Sequence, residues 1–176
     1  MLRIAEFEKV SRERFVEDYN RLYSYNEYYK DPARIYDSIR LPERATSGSA
    51  GYDFFLPEKE PISLGTNESC IIPTGIRVKI EEGWMLAIFP RSGLGFKYEM
   101  QLANTVGIID SDYYYADNEG HIMIKVVNRS QTERLAVHDK TAFAQGIFIP
   151  YGITLSDKVN GVRTGGFGST DKGVKR

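Results

Sequence analysis

Cys70-Ile71-Ile72-Pro73-Thr74-Gly75-Ile76-Arg77-Val78-Lys79-Ile80-Glu81-Glu82-Gly83-Trp84-Met85-Leu86-Ala87-Ile88-Phe89-Pro90 sets three short apolar runs in succession, cut by Pro-Thr-Gly, by Glu-Glu-Gly and by a closing proline. Runs of the same kind occupy residues 52–56, 121–127 and 141–151, each bounded by Gly, Pro, Asn or Asp. Many short strands at near-regular spacing, split by turn residues, predict an all-β sandwich or barrel from about Ala45 onward. Residues 2–10 read as an opening strand. Ser11 then suits a helix cap, with Glu13 in the first turn, and Phe15, Tyr19, Leu22 and Tyr23 recur at helical spacing. Pro32 separates two short helices, so an added helical segment is expected over about 11–40. Its tyrosines are read as packing that segment onto the body. The expected division is a β domain over 1–154, including the helical segment, and a flexible Gly-rich tail over 155–176.

A chain of 176 residues suits one domain with a sizeable core. Its formal net charge of -1 leaves no electrostatic footprint for nucleic acid. The opening Met1-Leu2-Arg3-Ile4 lacks the apolar stretch of a signal peptide. No apolar run approaches membrane-spanning length, so a cytoplasmic location is expected. Cys70, the one cysteine, sits in an apolar run and reads as a small buried hydrophobe.

Two stretches are suited to anions. Pro90-Arg91-Ser92-Gly93-Leu94-Gly95 offers a guanidinium, a hydroxyl and backbone amides that glycines leave approachable. Arg163-Thr164-Gly165-Gly166-Phe167-Gly168-Ser169-Thr170 repeats the theme and adds Phe167, an aromatic face with no core to join. Neither carries the Gly-Lys-Ser/Thr ending of a nucleotide P-loop. Between them, Gly107-Ile108-Ile109-Asp110-Ser111-Asp112-Tyr113 holds two carboxylates that share one side of an extended segment. Either could serve as general base or as an oxygen ligand for a hard cation. An Asp-rich turn is the plainer reading of that stretch alone. His121 and His138 stand far apart in sequence and give no zinc pattern. Asp53, in a turn entering a strand, reads as structural. Taken together, these residues suggest phosphate-ester or anhydride chemistry without naming a nucleotide.

The order of these segments resembles the trimeric dUTPase (deoxyuridine 5'-triphosphate nucleotidohydrolase) family, including forms from Gram-positive bacteria and their phages. Five motifs carry the likeness over about 44–170. They are Ala45-Thr46-Ser47-Gly48-Ser49-Ala50-Gly51-Tyr52-Asp53, the Arg91 stretch, residues 104–113, Ala144-Gln145-Gly146-Ile147-Phe148, and Gly165-Gly166-Phe167-Gly168-Ser169-Thr170. The resemblance implies a β-clip, a distorted jelly roll. It also implies a homotrimer with shared active sites, hydrolysis of dUTP to dUMP and pyrophosphate, and a Mg2+ ion held by the substrate phosphates without direct protein ligands. Such an enzyme limits uracil incorporation into DNA and supplies dUMP for thymidylate synthesis.

By the same resemblance Asp110 is the catalytic base. Uracil is expected against a hairpin of the third motif, contacted by Asn104, by the backbone of Gly107, Ile108 and Ile109, and by Met123. Tyr113 is expected to pack on deoxyribose. Arg91, Ser92, Gly93, Gln145 and Arg163 are expected at the phosphates. Phe167, Gly168 and Ser169 belong to a tail that closes over the base. The chain departs from the family pattern where Ala142 stands in place of an arginine, where Arg163 is set one residue nearer the glycine pair, at Asp171, and in a longer stretch over 114–119. A deoxycytidine triphosphate deaminase would need a glutamate in His121-Ile122-Met123-Ile124-Lys125-Val126-Val127-Asn128, which holds none. A non-catalytic nucleotide sensor on the same scaffold is the alternative of a different class.

Overall fold

The computed structural model describes residues 2–23, 31–57, 61–159, 161 and 165. Strand β1 (Ala5–Lys9) leads into α1 (Arg12–Tyr23) and α2 (Pro32–Ser38). Then come β2 (Glu43–Arg44), β3 (Tyr52–Phe55), β4 (Ile62–Leu64), β5 (Ser69–Pro73), β6 (Ile76–Ile80) and β7 (Trp84–Pro90). Helix α3 (Ser92–Tyr98) precedes β8 (Gln101–Leu102) and β9 (Gly107–Ile109), and a 3-10 turn (Ser111–Tyr115) follows. Strands β10 (Met123–Val127), β11 (Leu135–Val137) and β12 (Ala142–Pro150) end the ordered sequence of elements.

The strands form a five-stranded sheet in the order β2-β3-β12-β7-β9, a three-stranded sheet β5-β10-β8, and the pairs β1-β6 and β11-β4. Every pairing is antiparallel. This is the expected β-rich body. Along β6, Ile76, Val78 and Ile80 turn inward while Arg77 and Lys79 face out, the period-2 pattern that gives a strand one core face. Phe54, Leu86, Ile88, Phe143, Ile72, Ile124 and Val126 join one continuous core between the sheets. Cys70 is half-buried and packs against that core. None of the described helices is long and apolar enough to cross a membrane.

The helical segment forms where the caps and periodicity place it. Ser11 Oγ accepts the Arg14 N–H at 3.1 Å, and Asp31 Oδ1 accepts the Ala33 N–H at 2.9 Å with Pro32 in the first turn of α2. Phe15 and Tyr19 lie four apart and both enter the core, with Ile35 of α2 and Ile39, which caps it.

Gly75 is the joint of this assembly. Its φ is +70°, and a Cβ there would lie 2.2 Å from Ile39 Cδ1 and 3.2 Å from Phe15 Cδ2. Gly75→Ala combines backbone strain with overpacking and is expected to destabilise the fold by about 2–4 kcal/mol. Thermal denaturation should show a fall in Tm of roughly 5–15 °C. An unchanged Tm would contradict this account of the joint.

Three carboxylates tie the N-terminal segment to residues 114–121. The Tyr114 hydroxyl and Arg77 hold Glu8 below the usual carboxylate range against its burial. Burial alone would raise Asp18, but the hydrogen bond to His121 and the charges of Arg14 and Arg21 bring it below its ordinary value. Glu119 is likewise lowered, burial being outweighed by the Ser11 hydrogen bonds. A carboxylate depressed in the folded state adds stability that is fully present above its unfolded pKa and is lost as pH falls through the folded one. Tm is therefore expected to hold level down to about pH 4.5 and to drop below it. Calorimetry from pH 6 to pH 3 checks this, and a flat profile would contradict it.

Candidate active site

The chain between β8 and β9 reverses tightly. Thr105 takes φ +66°, its N–H donates to Leu102 O at 3.0 Å, and the Val106 N–H donates to Asn104 O at 2.7 Å. Strand β8 pairs with β10, Val126 opposite Leu102, whereas β9 pairs with β7, Ile88 opposite Gly107. The expected hairpin is thus a bridge between two sheets, and among the described residues β8 and β9 share no ladder. A cavity of about 420 Å3 opens between them, lined among others by Asn104, Gly107, Ile109, Met123 and Lys125. That volume lies within the range of small-molecule sites. A Cβ on Gly107 would reach 3.3 Å from Ile88 Cβ, so glycine leaves bare backbone as this wall.

Strand alternation sets the side chains along β9. Gly107 and Ile109 are buried, while Ile108 between them is 43 % exposed and turns its side chain away. Lys125 was not anticipated. It shares a face of β10 with Met123 by alternation, and that spacing was the available signal.

Asp110 follows β9 in extended conformation, φ -81° and ψ 160°, and is half-buried. The chain then coils into the 3-10 turn, with the Tyr113 N–H on Asp110 O at 3.2 Å. Asp110 and Asp112 are therefore not alternate positions of one strand as expected, and Asp112 is exposed on the turn. Tyr113, expected to pack on deoxyribose, lies in the same turn. At 1 % exposure its ring is closed inside the chain, and its hydroxyl donates to His121 O at 2.9 Å and accepts from Asn118 Nδ2 at 2.8 Å. The tight turn carries it inward, and the exposed aromatic there is Tyr115.

The phosphate-binding candidates gather elsewhere. Gln145 on β12 stands opposite Asp53 on β3 and Phe89 on β7. Its Nε2 donates to Pro90 O at 3.2 Å. The nearly buried Asp53 carboxylate accepts Arg91 Nη1 at 2.7 Å, which aims the guanidinium. The Arg91 stretch is helical: Arg91 O accepts the N–H groups of Leu94 and Gly95, and α3 begins at Ser92. Ser92 and Gly93 are exposed, with open space where a Cβ on Gly93 would point. Ala142, in the family's arginine position, lies on β12 opposite Phe55.

Register separates the two groups. Asp110 follows Ile109, which is opposite Leu86, so it leaves the sheet level with Met85. Arg91 leaves β7 at the other end. Positions 85 to 91 span about 20 Å at roughly 3.3 Å per residue. Asp53 lies three strands from β9 in the order β3-β12-β7-β9, a further ~14 Å across the sheet. Arg163, Phe167, Gly168, Ser169 and Asp171 lie outside the described residues. Among the described residues, no group of three or more His, Cys, Asp or Glu side chains could hold a metal ion.

A family model described as dUTPase matches residues 37–171. The chain belongs to the dUTPase family. Among curated relatives, the deoxyuridine 5'-triphosphate nucleotidohydrolase of Legionella pneumophila strain Paris is 40 % identical over 146 residues, covering 80 % of this chain and 92 % of that protein. The enzyme of the same name from Lactococcus lactis is 37 % identical over 135 residues, 75 % of this chain and 88 % of that one. The solved dUTPase from Streptococcus mutans superposes with a TM-score of 0.60 at 27 % identity, covering 84 % of this chain and 97 % of its own. The dUTPase match begins at residue 37, so β1, α1 and most of α2 precede it.

Proposed function

We propose that the active sites of this enzyme are assembled from half-sites on different copies of the chain, in a homotrimer. The reaction is hydrolysis of dUTP to dUMP and pyrophosphate. The β8–β9 cavity receives the base, with Asn104 and the backbone from Gly107 to Ile109 as its polar edge and Met123 as its floor. Fixed donors and acceptors there discriminate against cytosine, and the close wall at Gly107 against a thymine methyl. Asp110 takes a proton from a water as that oxygen attacks the α-phosphorus. The bond from phosphorus to the bridging oxygen breaks, and pyrophosphate leaves with that electron pair.

Arg91, Ser92, Gly93 and Gln145 of a neighbouring copy hold the phosphates. These groups bind phosphate rather than metal, which accords with a Mg2+ borne by the triphosphate that would supply charge neutralisation on the leaving group. By the family resemblance, the tail with Phe167, Gly168 and Ser169 covers the base and Arg163 adds a cation at the phosphates. Deleting the chain from Arg163 onward is expected to impair turnover of dUTP, and unchanged kinetics would remove the tail from the mechanism.

The observation carrying this reading is the register along β7. It keeps Asp110 and Arg91 at opposite ends of one strand, so a single chain does not bring them to one triphosphate. Subunit complementation tests it. Asp110→Asn and Arg91→Ala chains, each nearly inactive alone, are expected to regain dUTP-dependent pyrophosphate release when co-assembled. In mixed trimers some sites pair an intact Asp110 with an intact Arg91. No recovery in verified mixed assemblies would sink the shared-site reading. Release from dUTP but not from dCTP, dTTP or UTP checks the substrate assignment in the same assay.

A further inference from the structure

The segment ahead of the family match touches residues 114–121 at three directional contacts. The Ser11 N–H and Oγ both donate to the Glu119 carboxylate, at 2.7 and 2.6 Å. Asp18 Oδ2 lies 2.7 Å from His121 Nδ1. The Tyr114 hydroxyl donates to Glu8 Oε2 at 2.9 Å, and Arg77 joins them, its guanidinium 2.7 Å from the same oxygen and stacked on the Tyr114 ring. His121 is fully buried and accepts the Gly75 N–H at Nε2, 2.9 Å, so its Nδ1 bears the proton that Asp18 receives.

These contacts converge on the turn that follows Asp110. The His121 carbonyl accepts the Tyr113 hydroxyl, and the Tyr113 N–H donates to Asp110 O. A hydrogen-bonded chain thus runs from Asp18 through His121 and Tyr113 to Asp110. Adhesion alone does not require it, because Phe15 and Tyr19 already bury α1 against the core. A buried carboxylate such as Asp18 carries a desolvation cost unless it is well paired, and what it adds beyond apolar packing is direction. Glu119 is the matching feature on the other side. It takes φ +58°, an uncommon conformation for a residue other than glycine, and both Ser11 donors hold it there.

We infer that residues 8–18 brace the turn that follows Asp110, with Asp18 and Glu119 as positioning residues for the hydrolytic step. The inference rests on Asp110 being the general base. Misplacing a catalytic group affects the chemical step more than substrate binding. Steady-state kinetics on dUTP with Mg2+, using the full-length assembled enzyme, are expected to show kcat about tenfold lower for Glu119→Ala and for Asp18→Ala, with KM within about twofold.

Asp18→Asn keeps an acceptor oxygen for the His121 Nδ1–H and is expected to recover kcat to within about threefold of the parent. A merely structural role would not show this split or this rescue. Glu119 lies on a half-buried turn, so its variant keeps the test open if Asp18→Ala does not fold. A Glu119→Ala enzyme with parental kcat would overturn the brace, as would an Asp18→Asn enzyme as slow as Asp18→Ala. Asp110→Asn is run alongside. If it is inactive while the brace variants are normal, the brace alone fails. If it is active, the base assignment fails and takes the brace with it.

Discussion

Asp110→Asn is expected to lower kcat for dUTP by on the order of 10²–10⁴-fold, the usual contribution of a positioned general base. The substitution conserves shape and removes the proton acceptor. Asp110 is extended and half-buried where β9 ends, so the amide fits the same space and the fold is expected to persist. Nucleotide affinity should survive as well, because the cavity lined by Asn104, Gly107 and Met123 is untouched. Rapid-quench turnover and equilibrium binding of a non-hydrolysable dUTP analogue separate the two quantities. Full turnover by the variant would dismiss Asp110 as the base, and joint loss of turnover and binding would make its role one of site integrity.

Arg91→Ala is expected to lower kcat/KM by roughly 10²–10³-fold, the scale seen when one preorganised donor to developing charge is lost. The guanidinium is held at 2.7 Å by Asp53, so it need not be reordered when phosphates arrive. Its removal also deprives the nearly buried Asp53 carboxylate of this partner, at about 1–3 kcal/mol of stability. Arg91→Lys is expected to rescue poorly, since an ammonium cannot reproduce the fork that meets carboxylate and phosphate together. Kinetics for both variants alongside their Tm values check this, and full activity in the Arg91→Lys enzyme would reduce Arg91 to a simple charge.

Much of the architecture was legible because it follows from local rules. Runs bounded by Pro-Thr-Gly and Glu-Glu-Gly became β5, β6 and β7, and Ser11 and Pro32 marked the starts of α1 and α2. What the sequence could not display was which partners the strands choose. Gln101-Leu102 and Gly107-Ile108-Ile109 look like the arms of one hairpin, yet they pair with β10 and β7 in different sheets. Asp110 and Asp112 have strand spacing, but the 3-10 turn begins between them. The same turn carries the Tyr113 ring into the core, a tertiary outcome that composition does not encode. Lys125 has strand spacing from Met123, but that spacing acquires meaning only once β10 is known to wall a cavity. The contacts from Ser11, Asp18 and Glu8 to residues 114–121 span about a hundred positions and have no local signature.

Strand β7 separates the proposed base, level with Met85, from the proposed phosphate-binding Arg91 at its other end. If each part meets its complement on another copy, catalytic capacity depends on protein concentration as well as on the nucleotide. Dilution below the assembly threshold silences a chain whose every residue is intact, and specific activity then falls more steeply than enzyme concentration. A substitution far from any nucleotide, at a surface where copies meet, would register as lost turnover with an undisturbed fold. On that reading, the amount of chain present is a control on hydrolysis in its own right.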